Sequence, residues 1–507
     1  MSTYRYEVLL GLLLSGCFLT ACQPDDRPAG RVQQELAQKK AAEEARLAAT
    51  TESVPVAVKE VQSEVAAAPV AAKVTAAQTA VVKRLTGGVD LCEGLRTDQK
   101  RAVVAPMSRP PVGQFYKDPA FGTRIVRISD TDSGEVVKPM YSTIQSWNAD
   151  ESYLLLYHTG GDASQTGHHL YDGHSYKHLK KLDLTARDLE EIFWDHDDPQ
   201  TLYYVSAYFK HYGALMSYNV DTDEKTELRR FDEVCGKDAV PVAGNGVMMP
   251  SWDDDMFGFR CKDDNGRDVA FTWQRSTDTV KKIHVGDGTD YQPWMAPMPA
   301  PSGERYLLQA DILDPSLTRR LHRLDLSEFH SHADLGRMAN GHDAFFATAY
   351  DPAPGGCDGG KDQGVGQLVI HDLQTGTCRV QIGDSKGWGY PGSGTHISAT
   401  ANKNPGWVAL STIGYGQFEY LTNNKPAPVL FSEIYLANTD PANPQVCRVA
   451  HHRSHSKDST RGGYTGYLGE PHPTLSPSGT RIAFGSDWHN RGSVDTYIIE
   501  LPAYQAK

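Results

Sequence analysis

The feature that most constrains this chain is a unit that recurs through its C-terminal four-fifths. Each unit is a short β-rich run, a turn of Asp, Asn, Gly or Pro, and a second β-rich run. The first is Ile144-Gln145-Ser146-Trp147, a turn at Asn148 to Glu151, and Tyr153 to Tyr157. The last is His472-Pro473-Thr474-Leu475-Ser476-Pro477-Ser478-Gly479-Thr480-Arg481-Ile482-Ala483-Phe484. Units begin near residues 144, 192, 248, 291, 341, 394 and 470. A period of about 40 to 50 residues with four strands per unit predicts an all-β, seven-bladed β-propeller. Ile125-Val126-Arg127-Ile128 precedes the first unit and is placed to pair with Tyr497 to Leu501 of the last. That pairing would close the ring and remove its sheet edges. A large sandwich or a pair of barrels is the alternative.

The chain divides into three compositional zones. Residues 1–21 read as a signal peptide. The apolar run Leu9 to Thr20 is too short to span a bilayer as a mature helix. It ends in Leu19-Thr20-Ala21-Cys22, which resembles a bacterial lipobox. The resemblance implies cleavage before Cys22 and lipidation of its thiol, which is the membrane contact expected of this chain. Gln23 rather than Asp points to the outer membrane or cell surface. Residues 22–88 are rich in Ala, Glu, Gln and Val and cannot bury enough apolar surface to offset chain entropy, so they read as a tether. Residues 89–507 are the propeller, expected to be a monomer.

Of eight cysteines, Cys17 and Cys22 belong to the leader. The six others form an even set in an exported protein, which reads as disulfides. Proximity favours Cys235 with Cys261 and Cys357 with Cys378, leaving Cys92 with Cys447, one choice among 15 connectivities. A net charge of −13 argues against nucleic acid as a partner. Asp253-Asp254-Asp255 and Asp263-Asp264-Asn265-Gly266 lack EF-hand spacing and read as turns.

Blade phase sorts the remaining residues. Inner-strand starts and the loops joining second to third strands share one face, here called the top. His342, His396 and His472 each open a strand-like run, which predicts three imidazoles converging near the axis. Such a trio suits zinc, manganese or iron, with calcium as a further divalent candidate and no organic cofactor. Asp343 and Glu470 are carboxylates positioned to support it. His158, His168, His169, His211, Tyr212, Arg260 and Lys262 are placed on the same face by strand order. His451 to His455 is either a top-face lid or a solvated loop.

The final unit resembles the WD40-like propeller repeat of exported bacterial proteins. The whole body resembles the propeller polysaccharide lyases, namely oligogalacturonate and ulvan lyases. That resemblance implies a surface-anchored enzyme cutting a uronic-acid polysaccharide, ulvan-like and sulfated in one version, by β-elimination. β-Elimination needs an Arg to neutralise the uronate carboxylate, a base for the adjacent proton and an acid for the leaving oxygen. Arg260 is assigned to the first role. His168 and Tyr212 are assigned to base and acid, with His158 in reserve. Gln145, His169, His211 and Lys262 are assigned to substrate binding, and Trp147 to packing between blades. The rival readings are a non-enzymatic envelope scaffold and a propeller hydrolase or oxidoreductase using the same histidines.

Overall fold

A computed structural model describes residues 88–505, apart from 187–189, 208–210, 237–240, 243–249, 327–329, 358–363, 392–395, 414–423, 456–464 and 490. The residues read as a leader, as lipidated Cys22 and as a tether up to residue 87 lie outside the described residues.

The strands form seven antiparallel blades. Neighbouring blades pack face to face, so a second strand is buried on both sides and reads as a continuous apolar run. Leu154-Leu155-Leu156 shows the consequence. Leu155 joins a cluster with Ile192, Leu202 and Tyr204 of blade 2. Leu154 and Leu156, pointing the other way, join Ala483 and Ile498 of blade 7. Strand alternation sends successive side chains into different inter-blade cores. Trp147, assigned to packing, is fully buried in the second of these cores with the Arg481 guanidinium 5.2 Å from its ring.

The ring closes as expected. Arg124–Arg127 pairs antiparallel with Asp495–Glu500, setting Ile125 opposite Ile499 and Val126 opposite Ile498. Phe115–Lys117 adds a fifth strand outside it. Blade 7 is therefore built from both ends of the propeller, and opening it requires breaking a sheet rather than a loop contact. Among the described residues the disulfides are Cys92–Cys447, Cys235–Cys261 and Cys357–Cys378, the two pairs that proximity favoured and the one it left. The first ties the entering segment to blade 6, where Ala102–Val103 also pairs with Pro426–Ala427.

The unit boundaries shift by a few residues in blade 1, whose first strand starts at Val136, and in blade 4, whose first strand is Met298–Pro299, and in blade 5 they slip by a whole strand. In blade 5 the first strand is His330–Arg337 and the second is Asp343–Ala349. The run beginning at Gly341 is thus a second strand, not an inner one. Gly341, with φ 84°, makes the turn between them at the bottom of the blade. Asp343, fully buried there, accepts from Ser302 and Arg305 and cannot support a top-face site.

Candidate functional site

The top of the axis is where first strands of successive blades begin. His396 opens the first strand of blade 6, His396–Ser398. Glu470 and His472 lead into the first strand of blade 7, Thr474–Leu475. One ligand atom from each of His396, Glu470 and His472 lies within 4.8 Å of the others. The imidazole rings of His396 and His472 meet edge to face at 4.1 Å. His396 Nε2 is 3.3 Å from Glu470 Oε2, and His472 Nε2 is 4.0 Å from the same oxygen. Both histidines are fully buried.

His342 does not join them. It stands at the bottom turn of blade 5, half-exposed, with Nδ1 2.8 Å from Asp372 Oδ2. The blade-5 histidine at the axis is His332, from the first strand, whose ring lies 4.5 Å from that of His396. The slip of one strand in blade 5 is the whole cause of this exchange.

Blade 1 supplies a cation to the same place. Lys138, in Val136–Lys138, is fully buried and contacts His472 Nδ1, and its Nζ donates to the Glu470 carbonyl at 3.2 Å. Burial pulls Lys138 down to about 8, while Glu190 and Glu470 oppose the shift. Burial also holds His472 well below the usual imidazole range, helped by Lys138, His396 and His332, and takes His332 down to about 4. Tyr141 and Tyr467 cover the group, with ring centroids 5.2 and 4.9 Å from His472. Burial, with Glu190 next, pushes the Tyr467 hydroxyl well up. Lys138, Tyr141, Glu190, His332 and Tyr467 were not singled out in the sequence, because each is an ordinary strand or loop residue until the ring is closed.

The donor set fits a divalent metal. His472 Nε2 and His332 Nδ1 are buried without a hydrogen-bond partner, a costly state that a ligated cation would relieve. Two imidazoles and one carboxylate match manganese, zinc or iron. Calcium prefers oxygen ligands and fits this nest poorly.

The early blades hold the other assigned residues. His168 opens the third strand of blade 1, Gly167–Asp172, and is buried. Tyr212, 46% exposed, stands in the loop joining second and third strands of blade 2. His211 beside it is 2.6 Å from Glu227. Arg260, half-buried in Met256–Lys262 of blade 3, pairs through its backbone with Val242, and Lys262 is 2.9 Å from Asp268. Gln145 is committed to the fold: its Nε2 donates to the Thr400 carbonyl and its Oε1 accepts from the Trp147 amide. It also lines an axial cavity of about 60 Å³ with Trp194, Trp252 and Asp334. Asp334, fully buried and pushed well up by burial, accepts from the Ala399 amide at 2.6 Å. His451 to Ser454 are buried, and the rest of that basic segment, with Lys457 and Arg461, lies outside the described residues.

His158 and His169 belong to a separate cluster on blade 1. Their rings stack at 3.6 Å and 9°. His169 Nε2–H donates to the Gln165 carbonyl at 2.8 Å, so its Nδ1 accepts from His178 Nε2–H at 2.9 Å. His158 Nε2 shares a hydrogen bond with the Tyr171 hydroxyl. Burial first, then His169, His178 and Lys181, take His158 down to about 3, and burial lowers His169 and His178. The unfolded chain, with ordinary imidazoles near 6.5, therefore binds protons first as pH falls. Stability contributed by this cluster is present above that value and is lost as pH drops toward about 3. His158→Phe, which keeps the stack and removes a titrating ring, should flatten the fall of Tm with acid. Melting curves across that pH range check it.

No family model and no curated protein matches the sequence. Solved structures do. An oligogalacturonate lyase in complex with manganese superposes with a TM-score of 0.51 and 16% identity, covering 77% of this chain and 96% of its own. An oligogalacturonate lyase from Vibrio parahaemolyticus gives 0.53 and 14%, covering 77% and 97%. The fold is that of the oligogalacturonate lyases. At this identity the likeness concerns architecture, and the chemistry has to be argued from the residues above.

Proposed function

We propose that this chain is a metal-assisted polysaccharide lyase that cuts a uronic-acid-containing polysaccharide by β-elimination on its top face. The observation that carries the reading is the nest of His396, Glu470 and His472, suited to a cation, in a fold shared with a manganese-complexed oligogalacturonate lyase. A bound divalent ion would supply positive charge to a uronate carboxylate, lowering the barrier to removing the neighbouring proton.

The protein's own groups then divide the work. His396, Glu470 and His472 would hold the cation. Lys138 adds buried positive charge behind His472 and fixes the ring it contacts. Arg260 is assigned to a second contact with the carboxylate. In the elimination, a base takes the proton next to the carboxylate, the electron pair becomes a carbon–carbon double bond, and the glycosidic bond breaks as the leaving oxygen takes a proton. His168 and Tyr212 are assigned to these two transfers. His211 and Lys262 are assigned to the anionic chain. A sulfated, ulvan-like substrate and a lipid anchor at Cys22 on the outer membrane complete the reading. An anchored enzyme would release fragments at the cell surface.

Incubation of the manganese-loaded protein with oligogalacturonate, ulvan and alginate tests it. The expected result is rising ultraviolet absorbance from the unsaturated uronate product with at least one of them, lost in Arg260→Ala. Flat traces with all three under metal would overturn the lyase reading. Full activity in Arg260→Ala would remove that residue's role alone.

A further inference from the structure

Around Trp488, between blades 6 and 7, the interior carries positive charge with no carboxylate bonded to it among the described residues. Arg453 is fully buried. Its Nη1 donates to the Ala105 carbonyl at 2.7 Å, while Nε and Nη2 have no hydrogen-bond partner. The guanidinium lies 5.4 Å from the Trp488 ring. Tyr116 meets the same indole edge-on at 6.0 Å, and Tyr497 stacks on it at 5.1 Å. Both tyrosine hydroxyls are buried and unpartnered. His489, 6.2 Å from the indole, buries an unpartnered Nδ1, and its amide donates to the Arg453 carbonyl.

Asp118, the carboxylate whose field acts most on Arg453, is occupied. Asp118 Oδ1 accepts from the Ala120 and Phe121 amides, and Oδ2 accepts from the His451 amide. The backbone is strained in the same place: Arg453, Trp488 and His489 hold φ of 58°, 42° and 69°. Left-handed non-glycine residues cost free energy and persist where the surroundings hold them for a purpose. A desolvated guanidinium with two open N–H groups costs several kcal/mol unless a partner meets it. Two further open hydroxyl donors beside it make a set suited to an anion.

We propose that this nest binds a small monovalent anion of the halide class, chloride in ordinary media, held by Arg453 Nε–H and Nη2–H with the Tyr116 and Tyr497 hydroxyls. Full burial of Arg453 excludes a polysaccharide carboxylate, and a neutral water would leave the charge unbalanced. The ion would brace two connections at once. The entering segment crosses the nest at Ala105 and at Met107, whose carbonyl accepts from Trp488 Nε1 at 3.0 Å. Ser454, next to Arg453, donates to the Gly469 carbonyl beside Glu470.

Crystals grown in sodium bromide and measured at the bromine edge test this directly. The expected result is an anomalous peak within hydrogen-bonding distance of Arg453 Nε and Nη2. Tm should also rise with bromide or chloride relative to gluconate at equal ionic strength, as binding to the folded state alone requires. That difference should vanish in Arg453→Met. If that variant does not fold, Tyr116→Phe, one donor fewer, should shrink the difference severalfold. Ordered water in place of a peak, or an unchanged halide effect in Tyr116→Phe, would overturn the proposal.

Discussion

His472→Ala should abolish manganese binding and lower lyase activity by more than about 100-fold. Changes in groups that merely orient metal ligands cost roughly 10- to 100-fold, so loss of a ligand itself should exceed that range. The nest leaves little room for compensation. His472 faces His396 at 4.1 Å, both rings are fully buried, and Glu470 is the carboxylate that joins them. Removing one imidazole leaves two donors and a void lined by Tyr141 and Tyr467. The informative companion is His342→Ala. Its ring sits at the opposite end of blade 5, paired with Asp372 at a half-exposed position where such a pair is worth at most about 1 kcal/mol. Manganese titration by calorimetry and product absorbance should both collapse in the first variant and stay unchanged in the second. If His342→Ala loses metal and His472→Ala retains it, the placement of the cation at the axis is wrong.

That contrast marks how far the sequence was legible. The seven-bladed ring could be read from strand periodicity, its closure from a strand-like run left over before the first unit, and the disulfides from chain proximity for two pairs, with Cys92–Cys447 as the remainder. His396 and His472 were also legible, since turn residues before each fix the start of an inner strand. Blade 5 was not. Its second strand, Asp343–Ala349, is fully buried and strongly apolar, whereas its first strand carries His330, Ser331, His332 and Asp334. The polar first strand does not read as a strand-like run whereas the apolar second strand does, so the sequence puts His342 rather than His332 at the start of an inner strand. Lys138 was hidden for another reason. Nothing local sets it apart, and its meaning depends on blade 1 meeting blade 7 across a junction 334 residues apart in sequence. Long-range closure of this kind leaves no periodic trace.

The same junctions set where the fold is most vulnerable. Arg448→Met should destabilise the propeller by about 3–5 kcal/mol, more than any surface change, because it strands a buried carboxylate. Glu433 and Arg448 face each other across the third and fourth strands of blade 6, Glu433–Asn438 and Gln445–His451, and neither has exposed side-chain surface to speak of. The pair is bidentate, with Nε–Oε2 at 2.7 Å and Nη2–Oε1 at 2.5 Å. Arg448 also donates to the carbonyls of Asp98 and Lys100, and its amide donates to the Arg96 carbonyl, so one side chain holds both the carboxylate and the entering segment. Two terms therefore add in the single variant: an uncompensated charge in the interior and lost anchoring of residues 96–100. The double variant Arg448→Met with Glu433→Leu removes the first of these and keeps only the second, since an apolar pair of similar volume replaces the ion pair at little net cost. Denaturant unfolding should show the double variant recovering most of the lost stability. If it is as unstable as Arg448→Met alone, the anchoring of the entering segment dominates, and the charge burial argued here contributes little.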